Sequence, residues 1–235
     1  MNSDVPLKII TGIFWAFLIG AVALTLLIPA LPGNTFLMIS NYLQITAAIA
    51  GSLSLLYLYS RAGKRGYFLY AAGALGLWGV SNIAWYVNVL LGRRSEVYPG
   101  LIDMGIIASI LVLGIAYQHA FPRKQVPPHI LLGILAILLI IPVSIIATTG
   151  VTSQTLVTLL YFFACSSLIV TGLNHSLRGY PILLAGTLLF ALAFMIYPIR
   201  ETFFLTSSFL NIIGTFVVAG FSLIVIGFIA AAPES

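Results

Sequence analysis

From Ile9 to Leu31 the chain carries no charged side chain, and stretches of this kind recur almost to its end. Hydrocarbon offers no water to a backbone N–H or C=O, so an apolar stretch of about 20 residues crosses a bilayer as a helix. Glycine, proline and charge clusters divide the 235 residues into eight such windows: 9–31, 36–59, 67–91, 100–117, 129–148, 154–173, 181–197 and 204–231. Composition agrees, with 61% hydrophobic and 6% charged residues against roughly one-half and one-quarter in soluble domains. The expected fold is all-α: a polytopic membrane helical bundle of eight transmembrane helices, with residues 1–235 forming a single integral membrane domain. Asp4 and Lys8 make a poor basic leader ahead of a window long enough to span, so the first helix is expected to be retained. The window at 181–197 is short and is closed by Pro198, Arg200 and Glu201, which leaves a seven-span arrangement open.

The net charge of +5 comes from ten Lys and Arg that fall between the apolar windows, where they act as topology signals and not as a nucleic-acid surface. With alternating helices, one side receives Lys8, Arg61, Lys64, Arg65, Arg123, Lys124 and Arg178, and the other Arg93, Arg94 and Arg200. The positive-inside rule then places both termini in the cytoplasm and the chain in the cell membrane. "RGYFLYAAGALGL" from Arg65 recurs as "RGYPILLAGTLLF" from Arg178, with four windows between the copies. A 4+4 parallel internal repeat, residues 1–117 and 129–231, is expected about an axis along the membrane normal. Chance matching in a Leu/Ala/Gly-rich chain remains the alternative.

In this topology most strongly polar side chains of the windows fall in the outer half: Asn41, Gln44, Asn82, Asn88, Asp103 and Asn211. An amide or acid is tolerated in a bilayer when it faces the bundle or a water-filled cavity, so these residues are expected to converge on an outward-facing polar-aromatic pocket. Trp78, Asn82 and Trp85 share one helical face, with Tyr86 a turn above Asn82; an interfacial aromatic belt would also suit Trp85, Tyr86 and Tyr98. The candidate ligand-binding set is Asn41, Gln44, Asn82, Trp85, Tyr86, Asp103, Arg200 and Asn211. Asp103 is the one charged residue inside any window. Pro99 suits the first turn of a helix, and the positive end of that helix lowers the cost of the acid. A functional acid, an ion pair with Arg200 (or with Arg93 or Arg94) and a solvated surface acid are the three readings.

Little else in the chain carries chemistry. Cys165 is the sole cysteine, which excludes an intramolecular disulfide and suits a small buried residue. His119, His129 and His175 fall at inner loops without nearby carboxylates or cysteines, so no metal centre is expected. No nucleophile–base pair, close carboxylate pair or phosphate-cradling glycine loop is present, no cofactor is implied, and the absence of a mid-span lysine excludes a retinal Schiff base. The expected protein is non-enzymatic.

The segments "LWGVSNIAWYVNVLLG" and "YPGLIDMGIIASILVLGIAY" resemble the multi-spanning amino-terminal sensor regions of bacterial and archaeal histidine kinases and diguanylate cyclases. Trp78, Trp85, Tyr98, Pro99 and Asp103 stand at matching places, whereas Asn82 replaces an acid, Gly100 a serine and Ile102 an alanine. The resemblance covers about residues 76–117 and implies a membrane sensor that signals to a cytoplasmic output. Only Ala232, Pro233, Glu234 and Ser235 follow the last window, so the expectation is an isolated sensor region or a protein acting through a cytoplasmic partner. The leading reading is a sensor or receptor-like module for a small ligand, and the alternative is a small secondary transporter or channel of two parallel repeats. A lipid-acting enzyme lacks a visible catalytic group.

Overall fold

The computed structural model describes residues 4–27, 33–61, 64–91, 99–123, 126–175, 180–203 and 207–232, with the side chains of residues 4, 33, 34, 37, 89, 90, 137, 200–203 and 207–212 outside the description. Eight helices account for nearly all of them: α1 Asp4–Leu26, α2 Gly33–Arg61, α3 Gly66–Leu90, α4 Leu101–Ala120, α5 Pro128–Thr149, α6 Ser153–Asn174, α7 Pro181–Phe203 and α8 Ser207–Ala231. No strand occurs among the described residues.

Seven of the helices are long and apolar enough to cross a membrane. The exception is α3 and not α7, whose window looks shortest in the sequence. Helix α7 continues through Pro198 to Phe203, because a proline removes one backbone bond and a packed membrane helix absorbs that loss; Pro142 lies inside α5 in the same way. Helix α3 is 25 residues long, and its shortfall is one of polarity, from Asn82, Asn88 and its Trp, Tyr and Gly residues. Helix α1 begins at Asp4, a full turn ahead of the first apolar window.

The contacts fix the relative directions of the helices. Ser52 Oγ donates to the Ala72 carbonyl at 2.9 Å and Tyr86 to Tyr42 at 2.8 Å, so α2 and α3 are antiparallel. Gly105 lies against Ser81 and Tyr70 stacks on His119, which makes α3 and α4 antiparallel. Gly214 meets Ser40 while Val225 meets Gly51, so α2 and α8 run parallel. Asp103 meets Tyr161 while Gly114 faces Leu168, so α4 and α6 do the same. Thr25 and Thr215 share a hydrogen bond between α1 and α8. One pole of the bundle therefore gathers the Asp4 end of α1, the Arg61, Ala120, Asn174 and Ala231 ends of α2, α4, α6 and α8, and the starts of α3 and α7. Lys8, Arg61, Lys64, Arg65 and Arg123 lie at this basic pole, and Asp103 lies at the other.

Neighbour pairs recur along the chain: α2 on α3 and α6 on α7, α3 on α4 and α7 on α8, α4 on α6 and α8 on α2. Helix α8 is the most enclosed, with 72% of its apolar window buried, while α5 has 12% and lends only the partly buried Leu138 to the main core. A tight three-residue link joins α5 to α6. Gly150 there adopts φ 78°, and Thr152 caps α6 by accepting from the Thr155 N–H at 3.2 Å while its own N–H donates to Thr155 Oγ1 at 2.7 Å.

With lipid tails as apolar as leucine, helices associate where small residues let backbones approach. The α7–α8 seam is built this way, with Gly186, Gly220 and Gly227 against backbone or Cβ atoms of the facing helix. A Cβ on Gly220 would lie 2.9 Å from the Phe190 Cβ and 3.0 Å from its backbone nitrogen. Neither atom can move aside alone, so Gly220→Ala should destabilise the bundle by about 1–3 kcal/mol, the usual range for overpacking. Gly133→Ala on α5, where a Cβ meets open space, should be neutral or stabilising by up to about 1 kcal/mol. Thermal unfolding of the two variants in one detergent checks the seam; equal midpoints would contradict it.

Candidate ligand site at the Asp103 pole

Gly100 is extended, with φ −127° and ψ 175°, and the helix starts one residue later. Pro99 therefore precedes the cap and does not open the helix, and Asp103 is the third helical residue. From there its Oδ2 accepts the Gly100 N–H at 2.8 Å, tying down the chain end where backbone donors lack helical partners. Asp103 is only 4% exposed, so it is neither a lipid-facing nor a freely solvated acid.

Its second oxygen reaches across the bundle: Oδ1 accepts the Tyr161 hydroxyl of α6 at 2.8 Å. Tyr161 is fully buried, with its ring stacked on Phe194 at 6.1 Å and 5° and edge-on to Tyr197 at 5.6 Å. Phe194 in turn meets Phe190 and Trp78, and Trp78 packs edge-to-face with Phe221 at 4.8 Å. This aromatic box joins α3, α6, α7 and α8 beneath the acid. The Trp78 indole N–H is buried within it without a hydrogen-bond acceptor, a desolvated donor that costs about 1–3 kcal/mol when unmatched.

Among the expected site residues whose side chains are described, Asn82, Tyr86 and Gln44 make hydrogen bonds away from Asp103. Asn82 is half-buried and its amide donates to the Trp78 carbonyl one turn back at 3.1 Å, so it is spent within α3. Trp85 is half-buried. Tyr86, one position on and turned by about 100°, pairs instead with the exposed Tyr42, rings 5.2 Å apart, on the outside of α2 and α3. Gln44 donates to Ser40 Oγ at 3.1 Å and lies against Gly214, and the half-buried Asn41 is on the same helix. The described candidates thus form two groups, one on α2 and α3 and one, with Tyr161, on α4 and α6. The reason is one of register: the face of α3 that carries Trp78 points into the core, and α4 presents its acid to α6 instead of back to α3. Tyr98, Arg93 and Arg94 lie outside the described residues, as do the side chains of Arg200 and Asn211.

Tyr161 and the aromatic box were the unread half of this site. The signal available was a tyrosine in mid-window, in "TLLYFFACSS", where a buried hydroxyl needs a partner. Cys165, four residues on, is buried and free, as a small core residue would be. Among the described residues no group of three or more His, Cys, Asp or Glu is placed to hold a metal. Chemically, the site offers a paired carboxylate, a phenol bonded to it and an idle indole N–H. The chain matches no protein-family model, no curated protein and no solved structure.

Tyr161→Phe should cost about 1–3 kcal/mol by depriving a buried acid of one donor. Asp103→Asn should cost less than loss of the whole polar group, because the amide can accept from Gly100 and donate to Tyr161. Asp103→Leu, which strands both donors, should exceed either. Chemical unfolding in detergent ranks the three, and an Asn variant as damaged as the Leu variant would show that the charge, not the hydrogen bonds, holds the site.

Proposed function

We infer that the chain is a non-enzymatic membrane sensor or receptor-like module that takes a small ligand at the Asp103 pole. The observation that carries this reading is the buried Asp103–Tyr161 bond, which joins α4 of one half of the chain to α6 of the other above a box holding an unmatched Trp78 N–H. Buried ionisable groups in membrane spans are costly and mark sites by default. A ligand that competes for the Asp103 oxygens or accepts from Trp78 would alter the link between the halves, and that is the differential contact a switch requires. The likeness of residues 76–117 to sensor regions of signalling proteins supports the same reading, with a cytoplasmic partner or output domain receiving the signal.

The charge asymmetry supports an orientation in the cell membrane with the basic pole and both termini in the cytoplasm, Asp103 facing outward. The matched neighbour pairs, each with its equivalent in the same direction, support duplication of a four-helix unit about the membrane normal. The pairing breaks at α1, which packs on α8 while α5 makes no comparable contact with α4. This duplication also favours the second reading, a transporter, because parallel repeats recur in that class. Against it, the described interior between the poles is filled by Phe, Leu, Ile and Ala. Most of its Ser and Thr hydroxyls donate to carbonyls of their own helices, as at Ser109, Ser166, Thr187 and Ser222, although Ser52 donates across to Ala72 and Thr187 also pairs with the Tyr117 hydroxyl.

The test is a small-molecule screen by thermal shift on the full chain in nanodiscs, repeated on Asp103→Asn and Tyr161→Phe. A compound that stabilises the wild type and loses its effect in both variants is the expected result. The same compound accumulating in proteoliposomes would favour transport, and an undiminished shift in both variants would remove the Asp103 site.

A further inference from the structure

Tyr67 and Tyr180, the tyrosines of the two Arg-Gly-Tyr motifs, line one cavity that the Asp103 site does not use. At the basic pole a cavity of about 190 Å³ opens between the starts of α3 and α7 and the ends of α4 and α8, lined by Arg65, Tyr67, Phe121, Pro122, Tyr180 and Ala231 among others. Its size is ample, since one water needs about 10–15 Å³ on this measure. Tyr67 and Tyr180 occupy the same place in the two motifs, so the repeated sequence supplies both sides of one cavity.

We propose that this cavity binds a phosphate-bearing anion, on a phospholipid headgroup or free in solution. Arg65 stands at the opening of α3, where its carbonyl accepts the Phe68 N–H at 3.2 Å; its exposed guanidinium offers the forked donors that suit phosphate oxygens. Tyr67 and Tyr180 both line the cavity, and a phenol hydroxyl can donate to an anion. Their rings are already fixed: Tyr67 packs on Phe68 at 4.3 Å and stacks on Phe228 at 6.3 Å, and Tyr180 packs on Phe121 at 5.0 Å. Little side-chain freedom is lost when such donors engage an oxyanion. The Phe121 carbonyl, which would repel an anion, is engaged by His175 Nδ1 at 2.9 Å. Arg61, Lys64 and Arg123 add positive field at this pole.

The test uses the full chain and two probes. Inorganic phosphate is titrated in a maltoside detergent against chloride at equal ionic strength, and phosphatidic acid is added to phosphatidylcholine nanodiscs. Thermal midpoint and lipid retention by native mass spectrometry are the readouts. Stabilisation by phosphate in detergent identifies a free phosphate or phosphate ester as the ligand, and stabilisation by phosphatidic acid alone identifies a lipid headgroup. In either case Arg65→Gln should weaken binding about tenfold, the loss of one charge-assisted contact. Tyr67→Phe combined with Tyr180→Phe should weaken it as well, and Lys8→Gln, at the same pole but away from the cavity, should leave it unchanged. No response to either probe overturns the proposal, and so does an equal loss in Lys8→Gln and Arg65→Gln. Should Arg65→Gln fail to fold, undiminished binding by the double tyrosine variant overturns it instead.

Discussion

The lack of water in the bilayer core governs everything else in this chain. It forces the backbone into helices, and it also removes the usual reward for bringing apolar faces together, because lipid tails solvate leucine as well as a protein interior does. What remains is fit. The α7–α8 seam of Gly186, Gly220 and Gly227 lets two backbones approach until each glycine touches the opposite chain, and large rings such as Phe190 and Phe221 fill the space on either side. Helix α8 then has surface left for α1 and α2, which makes it the post around which the bundle is assembled.

The same dryness explains the form of the Asp103 site. An acid with nothing to bond would be expelled from such an interior. Asp103 stays because one oxygen is satisfied locally by Gly100 and the other by Tyr161 of a distant helix. The first bond belongs to the start of α4 and would exist in an isolated helix. The second exists only when α6 is docked, so it couples a local feature to the global arrangement. The aromatic box below extends that coupling to α3, α7 and α8.

Helix number and type were readable from apolar run length, because the bilayer leaves so few choices. Helix ends were less so: a proline was read as a stop at Pro198, where neighbouring helices sustain the turn. The weakness of α3 was hidden by its length, since amides and indoles spread along a 25-residue helix do not interrupt it. At the site, the burial of Asp103 followed from its chemistry, but its partner did not. Periodicity shows which residues share a face and not which helix that face meets, so Asn82, Trp85 and Tyr86 looked like neighbours of the acid. Tyr161, 58 positions along the chain, was assigned no role. Tertiary pairing of parallel α4 and α6 carries that information, and it is absent from either helix alone.

The polarity of α3 bears on how the chain enters a membrane at all. Helix α3 carries Asn82 and Asn88, whose amides are costly in hydrocarbon, and it comes to rest beside α2 and α4. Its amides lose much of that penalty once the helix is shielded: Asn82 has its own Trp78 carbonyl, and the α2 face gives α3 a Ser52 hydroxyl for the Ala72 carbonyl. Helix α3 is therefore best accommodated together with α2, as a hairpin, with α4 closing over the Ser81 side. The order of synthesis delivers the helices in that sequence, so the polar groups of α3 find their neighbours as soon as the hairpin forms.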